Sequence, residues 1–165
     1  MIRNILPKSQ IAQNKYSKYS DPFNDYYRLS KKDFNIKYGF DGLFRKDVKN
    51  LINDLKKNAI ILEEDIKTYR EFNINYIDFI KLKEVRGFIS TSLDETISIG
   101  YTRGTGTVIE VIVPKGTPVM YLRNYSLYPN HVEILIPPKY YIKEYKIKGE
   151  LIYKIVKRYK FIFNF

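Results

Sequence analysis

Gly87-Phe88-Ile89-Ser90-Thr91-Ser92-Leu93 joins an apolar pair to three consecutive small hydroxyl residues. Downstream, residues 128–137 have the sequence Tyr-Pro-Asn-His-Val-Glu-Ile-Leu-Ile-Pro, in which polar and apolar residues alternate over 131–134. Successive side chains of a strand point to opposite faces, so a strand over 131–136 carries His131 and Glu133 on the same side. A polar face of this kind is often merely solvated, and its meaning depends on the rest of the chain.

The chain outside these two segments begins with a polar part and a helical part. Residues 1–20 are rich in lysine and serine without periodicity, which predicts a flexible lead-in that adds nothing catalytic. In the helical part, 21–60, Ser30-Lys31-Lys32-Asp33 has the spacing of a capping box and predicts a short helix. A longer amphipathic helix is predicted behind Asp47 as N-cap, with lysines and Asp54 on its polar side. Its apolar positions are Val48, Leu51, Ile52, Leu55 and Ala59.

Residues 65–163 are mainly β in character. Short segments rich in β-branched and aromatic residues are separated by turn residues, as expected of consecutive strands. The predicted strands cover 107–113, 118–122, 131–136, 140–147 and 151–163. Helices followed by consecutive strands indicate an α+β fold rather than a doubly wound sheet.

Composition limits the function classes. The 165 residues are 44% hydrophobic, which suits one core, so we expect a single domain over 1–165. No apolar run could cross a bilayer and no signal-peptide segment is seen, so we expect a soluble protein. With no cysteine and one histidine, thiolate and multi-histidine metal sites are excluded, and we expect no metal. The net charge of +11 favours acidic proteins, nucleic acid, membrane surfaces or phosphate-bearing ligands, although a genomic bias toward lysine would give the same charge.

Three landmarks occur in a fixed order along the chain. Residues 62–70 end in Arg70, the triplet Ser90-Thr91-Ser92 follows, and His131-Val132-Glu133 comes last. This ordered set resembles the mono-ADP-ribosyltransferases of the bacterial toxin type, the class defined by an arginine, a Ser-Thr-Ser motif and a late x-x-Glu. The resemblance covers most of the chain, from about residue 30 to 147. It implies N-terminal helices followed by a mixed or antiparallel β-sandwich core of two packed sheets with an NAD cleft.

The resemblance also implies roles for individual residues. NAD is the substrate, and cleavage of its nicotinamide–ribose bond leaves positive charge on the sugar, which a preorganised carboxylate stabilises. That carboxylate is Glu133, Ser90 fixes it by a hydrogen bond, and Arg70 offers its planar fork to the diphosphate. Thr91 and Ser92 brace the strand and the cleft. Catalysis is thus assigned to Glu133, Ser90, Arg70 and His131.

Further assignments carry alternatives. Arg103 lies after the hydroxyl strand and is either a second phosphate contact or a solvated loop charge, while Tyr125 or Tyr128 contacts the acceptor. NAD binding is assigned to Arg70, Ser90, Thr91, Ser92, Arg103 and Glu71. Two positions depart from the family pattern. Glu71 stands where glycine is common, and His131 stands in place of the glutamate or glutamine that helps select the acceptor, which leaves the acceptor open.

The resemblance predicts transfer of ADP-ribose to a macromolecular acceptor, a host protein, by a toxin or effector that acts in the cytoplasm of a target cell. Two alternatives remain. His131 could have removed acceptor chemistry, leaving an NAD glycohydrolase or an inactive relative. Alternatively, the lysine-rich segment from residue 139 to 160 predicts a basic module that binds nucleic acid or protein.

Overall fold

The computed structural model describes residues 8–39, 42–72, 87–98, 106–122 and 132–157. Helices come first and strands follow, which confirms the α+β class. No helix in these ranges is long and apolar enough to span a membrane. The helices are α1 (Lys8–Lys18), α2 (Ser20–Arg28), α3 (Lys31–Tyr38), α4 (Leu43–Asn58) and the short α5 (Glu95–Ser98). A single domain over 1–165 stays a prediction.

The segment predicted as a flexible lead-in is instead helical from Lys8 onward. Ala12, Gln13 and Tyr16 are buried on one side of α1, where they face α4 and the sheet. The spacing of Ala12 and Tyr16 is that of one helix face. Lysine and serine on the other positions hide this short apolar stripe in the sequence, so composition alone gave the wrong answer.

The helix α3 begins as predicted, because the Ser30 side chain accepts a hydrogen bond from the Asp33 amide over 3.1 Å. The helix α4 begins four residues before the predicted N-cap, at Leu43. Asp47 is therefore inside the helix, where it pairs with Lys15 at 2.6 Å. Asp54, predicted on the polar side, is buried and accepts a hydrogen bond from Gln13. Both aspartates face inward because α1 packs against α4 at these positions.

In the described ranges, eight strands are hydrogen-bonded in the order β1-β5-β6-β3-β2-β4-β8-β7, and among them only the β4–β8 pair is parallel. The predicted strands at 107–113 and 140–147 are confirmed at both ends, and the others differ by one or two residues. Residues 158–163 of the last one lie outside the described residues. The strands are β1 (Ile60–Ile61), β2 (Ile66–Phe72), β3 (Ile89–Ser92), β4 (Thr107–Val113), β5 (Pro118–Tyr121), β6 (Glu133–Ile136), β7 (Tyr140–Ile147) and β8 (Glu150–Lys157).

The two halves of this strand order pack against each other. One apolar cluster contains Ile89 and Ile134 from the β5-β6-β3 half together with Val111, Ile142 and Ile155 from the β2-β4-β8-β7 half. The predicted two packed sheets correspond to these halves. A second cluster lies between α1, α2, α4 and the other face of the β5-β6-β3 half. Its members are Ala12, Tyr16, Phe23, Val48, Leu51, Leu55, Phe88, Met120, Leu122 and Leu135.

Candidate active site

The glutamate and the first serine of the two sequence motifs meet on neighbouring strands. In the antiparallel β3–β6 pair, Ser92 is opposite Glu133 and Ser90 is opposite Leu135, so Ser90 is the diagonal neighbour of Glu133 on one face. The Ser90 hydroxyl donates a hydrogen bond to Oε1 of Glu133. Glu133 is only 6% exposed. The carboxylate is therefore buried and held in one orientation.

Arg70 reaches the same place from β2. Its Nη1 donates a hydrogen bond to the Ser90 carbonyl oxygen, and its guanidinium lies 5.1 Å from the centre of the Phe72 ring. Stacking on an aromatic ring and bonding to a backbone carbonyl both restrict the planar guanidinium. Glu133, Ser90 and Arg70 thus form one connected chain of contacts, in which the Ser90–Glu133 bond is the one that the resemblance implied.

The other two hydroxyl residues of the triplet differ from each other. The Ser92 hydroxyl accepts a hydrogen bond from the Asp94 amide at 3.0 Å, which braces the turn into α5. Thr91 is opposite Ile134 and faces the other side of the strand. Its buried hydroxyl has no hydrogen-bond partner in the described part of the chain, in contrast to the bracing bond expected of it. The NAD contacts predicted for these residues stay predictions.

Glu71 follows Arg70 and therefore points to the opposite face of β2. Its buried carboxylate accepts a hydrogen bond from the Gly106 amide at 3.2 Å, just before β4 begins. This placement keeps its charge away from the guanidinium side of the strand. The carboxylate that departs from the family pattern thus has a structural partner, and its part in NAD binding stays a prediction.

The N-terminal helices supply a tyrosine that sequence reasoning did not include in the site. Tyr16 is 2% exposed and makes edge-to-face contacts with Phe23 and Phe88 at 5.5 and 5.6 Å. Burial raises the pKa of Tyr16 strongly and the Glu133 carboxylate raises it further, while Arg70 acts in the opposite direction. Tyr16 is therefore a neutral hydroxyl beside the carboxylate and the guanidinium.

Asn24 and Gly87 join the helical layer to β3. The Asn24 Oδ1 atom accepts a hydrogen bond from the Phe88 amide at 2.9 Å. Gly87 has φ +118°, and a Cβ there would lie 2.5 Å from Asn24 Oδ1. Only glycine suits both this backbone angle and this close approach. The sequence signal for this contact was the glycine just before Phe88.

Four predicted residues, Arg103, Tyr125, Tyr128 and His131, lie outside the described residues. Within the described ranges, no group of three or more histidine, aspartate or glutamate side chains could hold a metal ion. The described site thus consists of a buried carboxylate, a hydroxyl that orients it and a guanidinium. Such a set can stabilise positive charge that develops beside the carboxylate and can pair with a phosphate.

Comparison with known proteins gives a consistent result. The family model described as ADP-ribosyltransferase exoenzyme matches residues 2–161. No curated protein sequence matches. Among solved structures, the chain is similar to an ADP-ribosyltransferase from Clostridium botulinum, with TM-score 0.61 and 18% identity over 93% of this chain and 88% of that one. It is also similar to an ADP-ribosyltransferase toxin from Paenibacillus larvae, with TM-score 0.57 and 20% identity over 93% and 86% of the two chains.

A third similar structure was solved with a dinucleotide. It is the ADP-ribosylating toxin of a binary enterotoxin of C. perfringens, in complex with NADH. The TM-score is 0.55 at 19% identity, over 94% of this chain and 42% of that one. At these identities the structural matches show a shared fold.

Proposed function

Because this chain belongs to the ADP-ribosyltransferase exoenzyme family, we propose that it binds NAD beside β2, β3 and β6, cleaves the nicotinamide–ribose bond and transfers ADP-ribose to a macromolecular acceptor. The observation that carries the proposal is the contact chain Glu133–Ser90–Arg70. The NADH complex of the similar C. perfringens toxin supports a dinucleotide as the ligand.

Each residue of the contact chain has a distinct task in this proposal. The Glu133 carboxylate stabilises the positive charge that develops on the ribose as nicotinamide leaves. Ser90 holds that carboxylate in place, so it does not have to reorient during the reaction. Arg70 pairs with the diphosphate, whose two negative charges match its fork of donors. Tyr16 adds no negative charge to the site, because burial raises its pKa.

The acceptor in this proposal is a protein of a host cell, and the enzyme acts there as a toxin or effector. The toxins among the structural relatives support that class of role. Tyr125, Tyr128 and His131 remain the residues predicted from sequence to face the acceptor. The type of side chain that is modified is left open by the histidine at position 131.

The test is nicotinamide release from labelled NAD by the purified chain, alone and with a cell lysate. We expect Glu133→Gln to lower release by about 10²- to 10³-fold with little change in NAD affinity. The matched control is Glu110→Gln, which makes the same change on the exposed side of β4, where Glu110 pairs with Lys67 at 3.1 Å. Full activity of Glu133→Gln, or equal loss in both variants, contradicts the proposal.

The same assay separates transfer from hydrolysis. Label that becomes attached to a lysate protein in a Glu133-dependent way supports a transferase. Free ADP-ribose formed at one rate with and without lysate supports an NAD glycohydrolase instead. No release in either condition favours an inactive relative that binds through its basic surface.

A further inference from the structure

A second pocket lies away from the active site, between the β4–β5 turn and the β7–β8 hairpin. Its volume is about 380 Å³, within the range of small-ligand sites. The turn Pro114–Lys115–Gly116–Thr117 forms one wall, and β7 and β8 supply Tyr140, Tyr145, Lys154 and Lys157. None of the residues that line it is acidic.

The register of the sheet separates this pocket from the active site. In the antiparallel β2–β4 pair, Arg70 is opposite Ile109, whereas the β4 end that leads into the pocket, Val113, is opposite Ile66. Four residues of strand span about 13 Å. The pocket thus lies toward the opposite end of β2 from the guanidinium, and it is not part of the cleft described above.

The lysines at this pocket lack acidic partners. In the described part of the chain, Lys115, Lys154 and Lys157 make no ion pair. Lys143 is directly opposite Lys154 in the β7–β8 ladder, a like-charge pair that destabilises a sheet, and its ammonium lies 4.7 Å from the centre of the Tyr145 ring. A bound anion would relieve this repulsion.

The backbone amides of the turn are already used. The Lys115 amide donates to Asp65 at 2.8 Å, the Gly116 amide to Leu62 and the Thr117 amide to Pro114. An anion in the pocket would therefore be held by ammonium groups and tyrosine hydroxyls. Lys115, Lys154 and Lys157 all line the pocket, with Lys154 and Lys157 on opposite faces of β8. More than one ammonium group at a pocket suits a ligand with more than one phosphate, since lysine binds phosphate as a point charge.

We propose that this pocket binds a polyphosphorylated group, carried either by a soluble small molecule or by a lipid headgroup. The turn end of the same hairpin, about 13 Å of strand from Lys154, bears on the second source. Ile147 and Leu151 are 45% and 57% exposed there, beside Lys146, Lys148 and one acidic residue, Glu150. Apolar side chains with neighbouring lysines are the combination that binds an anionic membrane surface.

The test is calorimetric titration of the full chain with inorganic tripolyphosphate, in an Arg70→Gln background that weakens phosphate binding in the NAD cleft. We expect the pocket variant Lys115→Gln/Lys154→Gln/Lys157→Gln to raise Kd by about tenfold or more. The control variant Lys46→Gln/Lys49→Gln/Lys56→Gln removes the same charge from exposed positions of α4 and should leave Kd nearly unchanged. Equal Kd values in the two variants overturn the proposal. If the triple variant does not fold, Lys157→Gln alone, at an exposed strand end, must still raise Kd above that of Lys49→Gln.

Additional arms identify the source of the phosphate. A lipid headgroup is supported if the chain binds phosphatidylcholine vesicles only when they contain a bisphosphorylated inositol lipid. In that case Ile147→Ser/Leu151→Ser should weaken vesicle binding and leave tripolyphosphate binding unchanged. Binding of tripolyphosphate without vesicle binding supports a soluble ligand. The proposal is overturned in favour of nucleic acid if a single-stranded oligonucleotide binds more tightly than tripolyphosphate and the pocket variant no longer binds that oligonucleotide. Nicotinamide release with Arg70 intact is expected to be the same in the pocket and control variants, so this test is independent of the proposed enzymatic function.

Discussion

The Glu133 carboxylate is buried, yet one of its oxygens accepts a hydrogen bond from a serine on the next strand. A buried charged group is costly unless it is paired or hydrogen-bonded. The sheet register provides that partner, because the diagonal neighbour of Glu133 is Ser90 rather than an apolar residue. The hydroxyl therefore both makes the burial tolerable and fixes the direction of the carboxylate.

Removing this hydroxyl should affect turnover more than stability. We expect Ser90→Ala to lower kcat for nicotinamide release by about 100-fold, because a small misplacement of a reacting group costs that much. The KM for NAD should change little. Steady-state kinetics with labelled NAD measures both quantities.

The control is Ser30→Ala at the start of α3. The Ser30 hydroxyl accepts a hydrogen bond from the Asp33 amide at 3.1 Å, so its loss should cost about 1 kcal/mol of unfolding free energy with kcat retained. A kcat loss as large as that of Ser90→Ala would argue against the positioning role of Ser90.

A second prediction concerns the glycine before β3. Gly87→Ala places a Cβ 2.5 Å from Asn24 Oδ1 at a residue with φ +118°, so it should destabilise the fold through both strain and collision. Gly39→Ala has φ +87° and no atom within 4 Å of the added Cβ, so it isolates the backbone cost. Urea unfolding should show a loss for Gly87→Ala that exceeds that of Gly39→Ala by about 1 kcal/mol or more. Equal losses would mean that Asn24 moves aside freely.

Individual residues of the site were predictable only where a motif contains them. Ser90 and Glu133 could be predicted because they belong to the motifs that carry the resemblance to the family, which implied their contact. Tyr16 and Asn24 could not, because nothing local to α1 or α2 indicates that these helices reach β3 and β6. Their role depends on tertiary packing.

At the scale of elements, α2 and α3 are joined by a charged contact centred on Asp25. This carboxylate is 8% exposed and accepts hydrogen bonds from Lys37 at 2.8 Å and from the Tyr38 hydroxyl at 2.7 Å. Burial by itself would raise the pKa of Asp25, but the hydrogen bonds from Lys37 and Tyr38 outweigh it and hold the pKa below its usual value. The contact therefore depends on an ionised carboxylate.

This lowered pKa has a definite consequence for stability. A carboxyl group whose folded-state pKa is depressed contributes stability above its unfolded pKa of about 3.9, and that contribution is lost as the pH falls through the lower folded-state value. Asp25→Asn should therefore reduce the unfolding free energy by about 1–3 kcal/mol at neutral pH. The difference from the parent chain should shrink below about pH 4.

The measurement is urea unfolding at a series of pH values from neutral down to acid. Glu64→Gln is the control, because Glu64 is exposed and makes no hydrogen bond or ion pair in the described part of the chain, so its stability curve should follow that of the parent. An Asp25→Asn deficit that stays constant with pH would exclude the ionised pair as its cause.

Elements were predictable from sequence to different degrees. The strands β4 and β7 are rich in β-branched and aromatic residues and are bounded by turn residues, so both of their ends were predicted correctly. The start of α4 was missed because tertiary contacts extend the helix: Arg45, in its first turn, donates to Asn35 at 3.0 and 3.2 Å and lies 5.1 Å from the centre of the Phe34 ring. Such contacts leave no periodic signal ahead of Asp47.

For the whole molecule, the helical layer belongs to the core as much as the sheet does. Ala12 is fully buried against the cluster that includes Val48 and Leu51. Ala12→Asp introduces a buried charge without a partner, which should cost more than about 3 kcal/mol and abolish cooperative unfolding or activity. Ile11→Asp makes the same charge change one position earlier, where the side chain is 37% exposed, and should be much milder.

Thermal unfolding followed by circular dichroism compares these two variants. If Ala12→Asp melts like the parent chain, α1 is only an appendage, as the composition of residues 1–20 suggested.

The strand order could not be predicted from the sequence, because the parallel β4–β8 pair joins segments that are separated by three other strands. Local periodicity predicts strands but carries no information on such distant pairing.

In the part of the chain that the structure describes, one ladder pair, Tyr69 opposite Ser92, joins the two halves of the strand order. The parts of the active site are divided between these two halves. Arg70 belongs to one half, whereas Ser90 and Glu133 belong to the other. In the described residues these halves are otherwise held by side-chain packing and by the hydrogen bond from Arg70 to the Ser90 carbonyl oxygen, so a sub-global opening that breaks this bond could separate them while each keeps the backbone hydrogen bonds of its own ladders. Amide hydrogen exchange should then show β2 and β3 residues at this junction exchanging before the β3–β6 and β7–β8 ladders. Loss of the catalytic arrangement would in that case precede global unfolding as denaturant is added.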